Sequence, residues 1–472
     1  MTSTCLLAVA TGGLAQDGEA DAAKGGLEEI IVTARKREET LISVPTAIAA
    51  VGAQELSRSG INGIDALALK VPGFVVGEGG GTVQGGSISL RGISAADSNP
   101  LGDQAVSFNF DGVQVARASV RRMGDFDVAQ VEILKGPQAL FYGKNSPGGI
   151  VSMRSADPGD RFEVGGRMGY EINAEEVRGE AYISGPLSEG FGARLALYGS
   201  DMRGWVENVL PASDPFAPAD RWGPQTTEFA GRVTLKYDND GPFRARVKIA
   251  YGNVEGDSSA ANYQNVDCPG GALTSVGRAD DCKADDRLVS GVLGPDFARA
   301  IPAQNLGGIL SIADYGNGVP EHEQKQLLSG VELNYAMSNG LTVTSVTGLY
   351  DLDLKNRANF TATANPAAIL GSINALQIQE ISEELRLTSD FDGRINFMVG
   401  AQYQDSKAES ASVAAFGAIA GQASLLSPSA PLLASSYYLD QDGRAYSAFA
   451  QVTVEVTPEL ELSLGGRYSE EE

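Results

Sequence analysis

The feature that most constrains this chain is a repeated alternation of apolar and polar residues over about its last two thirds. In RINFMVGAQYQ, one face of an extended segment carries Ile395, Phe397, Val399, Ala401 and Tyr403, and the other face is mainly polar. The segment ELELSLGGRYS repeats this pattern. A period of two is typical of a β-strand with one apolar face and one polar face. We count about eleven such strands between residues 161 and 471.

The connections between these strands are of two kinds. Short turns are predicted at Ser188-Glu189-Gly190, Asn239-Asp240-Gly241, Ser338-Asn339-Gly340, Asp392-Gly393 and Thr457-Pro458-Glu459. Long polar segments lie near 204–226, 254–325, 356–377 and 405–442. Short turns at one end and long loops at the other are typical of an outer-membrane β-barrel. Strand segments near ten residues fit a tilted membrane strand.

The main alternative is a soluble β-sandwich, whose strands also alternate. Loops of about fifty residues or more are uncommon in that class, so the barrel is favoured. In a barrel, tyrosines near strand ends are expected to form an interfacial girdle. The candidates for this girdle are Tyr170, Tyr198, Tyr251, Tyr350, Tyr403 and Tyr468.

Composition narrows the possible functions. The chain has 472 residues, which is too long for one ordinary core, and 36 Lys and Arg against 60 Asp and Glu give a net charge of −24. This acidity argues against nucleic acid as the main partner. The single histidine, His322, lies in an apparent loop without a Ser or Cys partner, and no Gly-x-Ser-x-Gly motif occurs. We therefore expect no enzyme activity, no cofactor and no metal site.

Residues 41–157 have a different sequence pattern, in which short strand-like segments alternate with short helical segments. TAIAAVG is predicted as a strand, AQELSRSG as a helix ending at Gly60, and IDALALKVPGF as a helix stopped by Pro72. SISLRGI, VSFNFDGVQV, VEILKG and GGIVSMR are further predicted strands. This mixed order indicates a compact α+β unit of about 120 residues.

One stretch, VEILKGPQALFYGKNSPGGIVSM, superficially resembles a phosphate-binding loop. A P-loop needs four residues between Gly and Gly-Lys-Ser/Thr. Here six residues separate Gly136 from Gly143, Asn145 replaces the hydroxyl residue, and Pro137 removes a backbone donor. The stretch is therefore not predicted to bind a nucleotide, and its glycines are better explained by tight turns and close backbone packing.

The N-terminus and the cysteines both indicate export. An apolar core from Leu6 to Ala10 precedes small residues, as in a signal peptide cleaved after Ala15, although no basic residues precede that core. A disordered apolar tail is the alternative. Cys268 and Cys282 lie close together in one predicted loop, where an exported protein would form a disulfide. Metal ligation by this pair is the weaker alternative, because the chain offers so few other ligands.

Taken in order, these segments resemble the TonB-dependent outer-membrane receptors. EEIIVTARKREE is similar to the TonB box of that family and the polar stretch that follows it. LISVPTAIAAVGAQELSRSGINGIDALALKVPGF is similar to the start of the plug domain. The later plug motifs are matched, in order, by SLRGI, FDGV and VEILKGPQALFYGKNSPGGIVSMRSADP.

The resemblance implies a membrane all-β fold, an antiparallel transmembrane β-barrel that holds a small α+β plug in its lumen. Barrels of this family have about 22 strands, so roughly half would be present here, and we expect further strands beyond Glu472. The implied division is a signal peptide at 1–15, a periplasmic segment with the TonB box at 16–40, the plug at 41–158 and the barrel at 159–472.

The resemblance also implies which residues carry the function. The residues expected to contact TonB are Glu29, Ile30, Ile31, Val32, Thr33 and Ala34. The plug signature comprises Arg91, Gly92, Asp111, Gly112, Glu132, Gly136, Pro137, Tyr142, Gly143, Gly148 and Gly149. Many members carry Arg two residues before the Glu of VEI, where this chain has Gln130. Arg91 retains its charge, and Glu383 or Glu384 are its candidate barrel partners.

The implied activity is import across the bacterial outer membrane, driven by TonB and its inner-membrane energising complex. The expected substrate is a ferric siderophore or another iron complex, with a glycan or cobalamin as alternatives; the residues that bind it are not predicted. IIVTA is β-branched and extended, so it can add as a strand to a partner sheet, although it could also be a plain first strand of the plug. A passive porin or adhesin would need neither the box nor the plug.

Overall fold

The fold is described from a computed structural model of the chain. The described residues are 30–33, 35–37, 39–61, 63–77, 86–95, 99, 101, 102, 104–115, 117–124, 126–215, 217, 218, 220–257, 283–294, 297, 298, 301, 302, 306–360, 370–416, 433–457 and 459–472. The predicted signal peptide, Glu29, Ala34, Cys268 and Cys282 lie outside these residues.

The first part of the chain forms a small mixed unit. Its strands are β1 (Ile31–Val32), β2 (Glu39–Thr40), β3 (Ile48–Gly52), β4 (Phe74–Gly77), β5 (Ser87–Leu90), β6 (Ile93–Ser94), β7 (Val106–Phe110), β8 (Val113–Val115), β9 (Val128–Lys135) and β10 (Gly149–Ser155). Its helices are α1 (Ala53–Arg58), α2 (Gly63–Ala68), α3 (Ala139–Tyr142) and a 3-10 helix over Ala118–Gly124. The predicted helices are present, as are strands in each predicted segment. The single strand predicted over SISLRGI is divided into β5 and β6 by a turn at Arg91 and Gly92, whose φ angles are 54° and 79°.

A five-stranded sheet forms the centre of the small unit. Its strand order is β3-β9-β10-β7-β8, and only β10 and β7 run parallel. Phe108, Ile133 and Val151 lie in the buried core that this sheet shares with α1 and α2. The prediction of one strand over VSFNFDGVQV was wrong. Asp111 and Gly112 have φ angles of 51° and 96°, and this left-handed turn divides the segment into β7 and β8.

The second part of the chain is dominated by strands. These are β11 (Glu163–Glu171), β12 (Glu176–Ser188), β13 (Phe191–Met202), β14 (Val206–Asn208), β15 (Trp222–Gly223), β16 (Thr226–Asp238), β17 (Phe243–Gly256), β18 (Arg287–Leu288), β19 (Glu321–Ala336), β20 (Leu341–Asn359), β21 (Leu370–Ser389), β22 (Ile395–Phe416), β23 (Leu433–Thr457) and β24 (Leu460–Glu471). A 3-10 helix spans Ile312–Gly318. None of the described helices is long and apolar enough to cross a membrane.

Eleven of these strands form one antiparallel sheet, in the order β11-β12-β13-β16-β17-β19-β20-β21-β22-β23-β24. This count confirms the eleven strands predicted from the alternation. The short turns are also confirmed, since β12 and β13, or β19 and β20, are separated by only a few residues. The remaining strands β14, β15 and β18 form a separate small sheet within the long connections.

The two faces of the large sheet differ as the alternation predicts. Leu349 and Ile381 on one face are exposed, by 41% and 48%. Leu352 and Ile378 on the opposite face are buried in the core shared with the small unit. An apolar face turned outward and an inner face packed on a small domain are what a membrane barrel with an occupied lumen requires.

Several predicted loops are in fact strand. The segments 356–377 and 405–442 were predicted as loops, but β20 to β23 extend into them and reach 19 to 25 residues. His322, also predicted in a loop, lies in β19. In these stretches Ile373, Ala375 and Val413 pack in a buried cluster with Leu293, Phe297 and Leu310 of a long connection. Their pattern follows this contact rather than a simple alternation of an outward apolar face.

Two of the six predicted girdle tyrosines face inward instead. The ring of Tyr198 stacks on Phe126 at a centroid distance of 6.0 Å. The Tyr350 hydroxyl lies 3.3 Å from the Ser119 hydroxyl, and its side chain is 1% exposed. Their positions in the alternation place them on the face that packs against the small unit. Tyr170, Tyr251 and Tyr468 are exposed.

Candidate functional site: the docked N-terminal segment

The described part of the predicted TonB box, residues 30–33, is docked against the small unit. Strand β1 pairs antiparallel with β2, joining Ile31 to Thr40 and Val32 to Glu39. Val32 is 0% exposed and packs in a cluster with Leu134 and Ile150 of the central sheet. The same β-branched sequence that suits strand addition therefore supplies the apolar contact that holds the segment in place.

Two polar side chains of β9 bind the backbone of this segment. The Thr33 N–H donates to both carboxylate oxygens of Glu132, at 2.9 and 3.1 Å, and the Thr33 hydroxyl donates to Oε1 at 3.1 Å. Gln130 Nε2 donates to the carbonyl oxygen of Ile31 at 2.8 Å and to Glu132 Oε1 at 3.3 Å. Gln130, which stands where the family often has arginine, therefore holds the box segment rather than a barrel carboxylate.

Glu132 is an unusual group to find at such a contact. Its side chain is 1% exposed, and it forms no ion pair among the described residues. Burial raises the pKa of Glu132, and the hydrogen bonds from Thr33 only partly oppose this effect. The docked segment supplies hydrogen-bond donors to the buried Glu132 carboxyl group, so undocking would leave this group without them.

Lys36 fixes the same segment to the wall of the large sheet. Its ammonium group lies 3.2 Å from Glu384 Oε2 and 4.8 Å from the centre of the Tyr142 ring. Glu384 also pairs with Arg386 at 2.6 Å. Burial lowers the pKa of Lys36, while Glu384 opposes that shift. A buried ammonium with a single carboxylate partner is a contact that is costly to break on one side only.

The position of Lys36 corrects one prediction. Among the described residues, neither Glu383 nor Glu384 forms an ion pair with Arg91; Glu384 binds Lys36 instead. Glu383 points to the opposite face, where Ser345 donates to it at 2.7 Å and Thr347 also donates. The two neighbouring carboxylates thus face opposite sides of β21, as expected for a strand.

Arg35 completes the docking. Its guanidinium donates through Nε to Glu39 at 2.8 Å, also binds Glu39 through Nη2, and lies 3.4 Å from Glu461 of β24. The turn between β1 and β2 thus carries cations to two different strands of the large sheet. Arg35 and Lys36 belong to the charged cluster ARKREE that follows the box. These two side chains are not simply solvated, because they bind Glu39, Glu461 and Glu384.

A second set of ion pairs joins the small unit to the large sheet around Asp111. Lys248 of β17 lies 3.0 Å from Asp111 and 2.9 Å from Asp157, and it donates to the Ser155 hydroxyl at 2.7 Å. Burial disfavours the Asp111 carboxylate, but Lys248 and neighbouring arginines outweigh this and hold the pKa of Asp111 well below its usual range. Asp111 is therefore an anchoring residue of the unit.

Asp127 is the other anchor. Arg194 of β13 donates to Asp127 Oδ1 through Nε at 2.9 Å and Nη2 at 2.6 Å. Arg232 of β16 donates to the carbonyl oxygens of Met123 and Phe126, at 2.6 and 3.1 Å. At Asp111 and Asp127 the small unit supplies the carboxylate and the sheet the cation, whereas at Lys36 and Lys144 the charges have the predicted polarity.

The glycine-rich stretch serves close packing. Gly136, Gly143 and Gly149 have φ angles of 98°, 70° and 142°. A Cβ on Gly149 would lie 2.2 Å from the Leu134 carbonyl oxygen. The N–H of Gly148 donates to the Ala105 carbonyl at 2.8 Å. Lys144 lies 3.8 Å from Glu471 of β24, so it contacts the wall rather than a phosphate.

The predicted site residues thus fall into two groups. Glu132 and Tyr142 meet residues 31–33 and Lys36, whereas Arg91 and Gly92 form the turn between β5 and β6. Sequence reasoning missed Lys36, Asp127 and the role of Gln130. Of these three residues, only Gln130 was marked in the sequence, as a departure from the family pattern.

Comparison with known proteins identifies the class that this architecture defines. The family model described as TonB-dependent Receptor Plug Domain matches residues 40–150. The model described as TonB dependent receptor-like, beta-barrel matches residues 283–471. Together they cover well over half of the chain. The chain belongs to the TonB-dependent receptor family, a family of outer-membrane β-barrel proteins.

Individual relatives agree with this assignment. The Pesticin receptor of Yersinia pestis is 34% identical over 206 residues, covering 42% of this chain and 29% of that protein. The Ferrioxamine receptor of Yersinia enterocolitica is 23% identical over 231 residues, covering 49% of this chain and 32% of its own length. The chain therefore spans about a third of the length of these curated relatives.

Solved structures show the same fold. The ferric yersiniabactin uptake receptor from Yersinia pestis superposes with a TM-score of 0.66 at 20% identity, over 90% of this chain and 56% of that one. A siderophore receptor from Acinetobacter baumannii gives a TM-score of 0.67 at 17% identity, over 94% of this chain and 60% of that one. The small unit is thus the plug, and the eleven-stranded sheet is barrel wall.

Proposed function

We propose that the receptor binds a scarce extracellular iron complex, most simply a ferric siderophore, and imports it into the periplasm by a TonB-driven rearrangement of the plug. The names of the relatives support iron complexes, since they include receptors for ferrioxamine, hemin and ferric yersiniabactin. The observation that carries the proposal is the docked box segment, which the plug and the wall hold through few and separable contacts.

The contacts explain how the segment can be both stored and released. TonB would bind residues 29–34 by strand addition, which needs their backbone N–H and C=O groups. In the docked state, Glu132 occupies the Thr33 N–H and Gln130 occupies the Ile31 carbonyl. Each such bond contributes on the order of 1–3 kcal/mol. Release therefore requires an amount of free energy that substrate binding or a partner can supply.

The remaining assignments belong to the same proposal. TonB, its inner-membrane energising complex and outer-membrane lipid are the partners, and transport proceeds without enzyme chemistry or a cofactor. The division into a signal peptide, a box segment, a plug over 41–158 and a barrel over 159–472 is part of it. A disulfide between Cys268 and Cys282 is also part of the proposal. The plug signature residues serve to hold the plug in its lumen.

Deletion of residues 29–34 tests the proposal. Cells that carry the receptor would be given radioactive iron as ferrioxamine, ferric yersiniabactin or hemin, and the accumulated iron would be measured. We expect the deletion to abolish uptake while leaving binding of the complex at the cell surface intact. Ile42→Ala, a change at a 91% exposed turn residue, is the matched control and should transport normally. Unchanged uptake after the deletion would refute TonB-coupled import. Uptake of cobalamin or a glycan, but of none of the iron complexes, would instead identify that compound as the substrate.

A further inference from the structure

The extracellular parts of β19 to β23 carry charge almost entirely on one face. Leu352 and Ile378 mark the face that turns to the plug, and Leu349 and Ile381 mark the outward face. Beyond this layer the strands continue toward the long connections, at the end of the barrel that lies outside the cell. Every second side chain there faces the lumen, so the two faces can be compared residue by residue.

The pair of strands β22 and β23 shows the contrast. Residues directly opposite each other in this pair share a face. The outward face carries the charged residues Asp405, Lys407, Glu409, Asp440, Asp442 and Arg444. The residues that alternate with them face the lumen, and they are Gln404, Ser406, Ala408, Leu439, Gln441 and Gly443. Each strand is therefore charged on its outward face and uncharged on its lumen face.

The neighbouring strands repeat this arrangement. On β20, the outward residues are Asp351, Asp353, Lys355 and Arg357, whereas Asn356 and Ala358 face the lumen. Within residues 321–328, 350–359, 371–380, 404–415 and 435–444, the only Asp, Glu, Lys or Arg on the lumen face is Glu380. Glu380 lines the same pocket as Arg117 of the plug, which brings an opposite charge close to it.

The lumen face offers neutral hydrogen-bonding groups instead. The Ser412 hydroxyl donates to Asn374 Oδ1 at 2.7 Å, and Asn374 Nδ2 donates to the Ser372 hydroxyl at 2.9 Å. The Ser410 hydroxyl has no hydrogen-bond partner in the structure, although Ser410 is only 1% exposed. Hydroxyl and amide groups can both donate and accept hydrogen bonds, so this face can bind a solute that carries donors and acceptors.

The absence of charge here is not a general property of the barrel interior. Arg194, Arg232 and Lys248 face the plug on β13 to β17, and Glu384 and Arg386 do so nearer the periplasmic end of β21. A charge on the wall of a water-filled lumen remains solvated and costs little. The neutral lumen face of β19 to β23 therefore indicates what this part of the wall contacts.

The arginines of the plug near this region already have carboxylate partners. In the helix Ala118–Gly124, Arg121 pairs with Asp65, and Arg122 lies 3.6 Å from Glu228. A strongly charged solute that loses water on binding needs an opposite charge or charge-assisted hydrogen bonds. The lumen face of the five strands supplies neutral donors and acceptors instead.

We propose that this wall selects its solute by neutral hydrogen bonding, so that the cargo presents to β19 to β23 an uncharged surface rich in donors and acceptors. Among iron complexes, this favours a trihydroxamate, in which three monoanionic groups balance the charge of Fe³⁺. A tricatecholate is disfavoured, because its dianionic groups leave the complex strongly negative. The restriction to iron complexes rests on the proposed function, whereas the charge class rests on the wall alone.

Equilibrium binding of matched chelates tests the charge class. The probes are radioactive ferric complexes of one linear trihydroxamate whose terminal amine is either acetylated, and so neutral, or succinylated, which adds a carboxylate. The full receptor would be presented in outer-membrane vesicles. We expect the neutral complex to bind about tenfold more tightly than the succinylated one, and a ferric tricatecholate to bind more weakly than either. Equal or tighter binding of the succinylated complex or of the tricatecholate would overturn the proposal.

A cation placed on either face shows whether the lumen face makes this choice. Gln441→Arg adds a cation to the lumen face of β23, and the matched control Gln377→Arg adds one to the outward face of β21. Gln441→Arg should shift the affinity ratio toward the succinylated complex by roughly tenfold, and the control should leave it within about twofold. An equal shift in both variants, or no shift with Gln441→Arg, would refute a role for the lumen face.

The charge class and the proposed function can fail separately. If the receptor binds iron only as the tricatecholate, iron import stands and the neutral class is overturned. If it binds an uncharged glycan and none of the iron complexes, the iron substrate fails and the neutral class stands.

Charged thiol reagents measure the potential of the wall without any substrate. Gln441→Cys on the lumen face and Gln377→Cys on the outward face would each be placed in a receptor whose native cysteines are changed to serine. Each thiol would be labelled with a cationic and an anionic methanethiosulfonate, and the ratio of the rates would be divided by that of free cysteine. Gln377 lies between Asp353 and Glu409, so the cationic reagent should be favoured there by about tenfold.

On the lumen face, the corrected ratio should lie within about threefold of unity. A preference of about tenfold or more for either reagent at Gln441→Cys would overturn the proposal, because the vestibule would then carry a strong charge. This measurement decides the charge class even when none of the chelates binds.

Discussion

Replacing Glu132 by alanine should undock the box segment. The substitution removes both acceptors of the Thr33 N–H and the acceptor of the Thr33 hydroxyl. Hydrogen bonds to a charged group contribute roughly 1.5–3 kcal/mol each. The substitution also removes the unfavourable burial of a carboxylate charge, and this gain offsets part of the lost hydrogen-bond energy. We therefore expect docking to weaken by about 2 kcal/mol, which is roughly a thirtyfold change in the docked-to-undocked ratio.

A thiol at position 32 reports this equilibrium. Val32 is 0% exposed, so a Val32→Cys thiol reacts with a maleimide only when the segment leaves its cluster. The reporter would be placed in a receptor whose native cysteines are changed to serine. Labelling should be roughly thirtyfold faster with Glu132→Ala, and Glu132→Gln should give an intermediate rate because one acceptor oxygen remains.

A second thiol separates local release from general unfolding. Ile42 is 91% exposed, so Ile42→Cys should be labelled at the same rate with and without Glu132→Ala. Equal labelling rates at position 32 in the two backgrounds would refute the reasoning, because Glu132 would then contribute nothing to docking. A rise at both positions would show that the plug itself had unfolded.

Three further predictions concern Lys36, Asp111 and the cysteine pair. Lys36→Met removes the ion pair with the barrel wall and should speed labelling at position 32 by about tenfold, reflecting roughly 1–2 kcal/mol of lost docking. Asp111 has a depressed pKa in the folded plug, so its contribution is present above the usual pKa of about 4 and is lost as pH falls through the depressed value. Calorimetry should therefore show Asp111→Asn to be less stable than the native plug at pH 7 and less sensitive to acid; identical acid profiles would contradict this. Cys268 and Cys282 should resist thiol labelling on intact cells until a reductant is added, and two freely labelled thiols would refute the disulfide.

Local patterns in the sequence were sufficient for most of the fold. The alternation and the short turns predicted eleven strands, because both depend on neighbouring residues. Strand ends were less predictable. The outer parts of β21 and β22 bury Ile373, Ala375 and Val413 against a long connection, and that contact between segments distant in sequence leaves no local signal. The inward positions of Tyr198 and Tyr350 were missed because a tyrosine fits either face of a barrel strand.

The candidate site depends on contacts that sequence patterns do not contain. Gln130 and Glu132 bind residues that lie 99 positions earlier in the chain, and Lys36 binds a carboxylate 348 positions away. The family pattern drew attention to Gln130 without indicating its partner. The ion pairs at Asp111 and Asp127 have the opposite polarity to the predicted one, while Lys36 and Glu384 have the predicted polarity; an ion pair across two units can be built with either charge on either side.

Iron uptake compared in cells with and without TonB tests the central claim most directly. The receptor would be the only outer-membrane route for the supplied ferric complex, and accumulated radioactive iron would be measured over time. We predict uptake that depends entirely on TonB, with surface binding of the complex unchanged when TonB is absent. Equal uptake in the two strains would contradict the account, because the docked box segment would then play no part in transport.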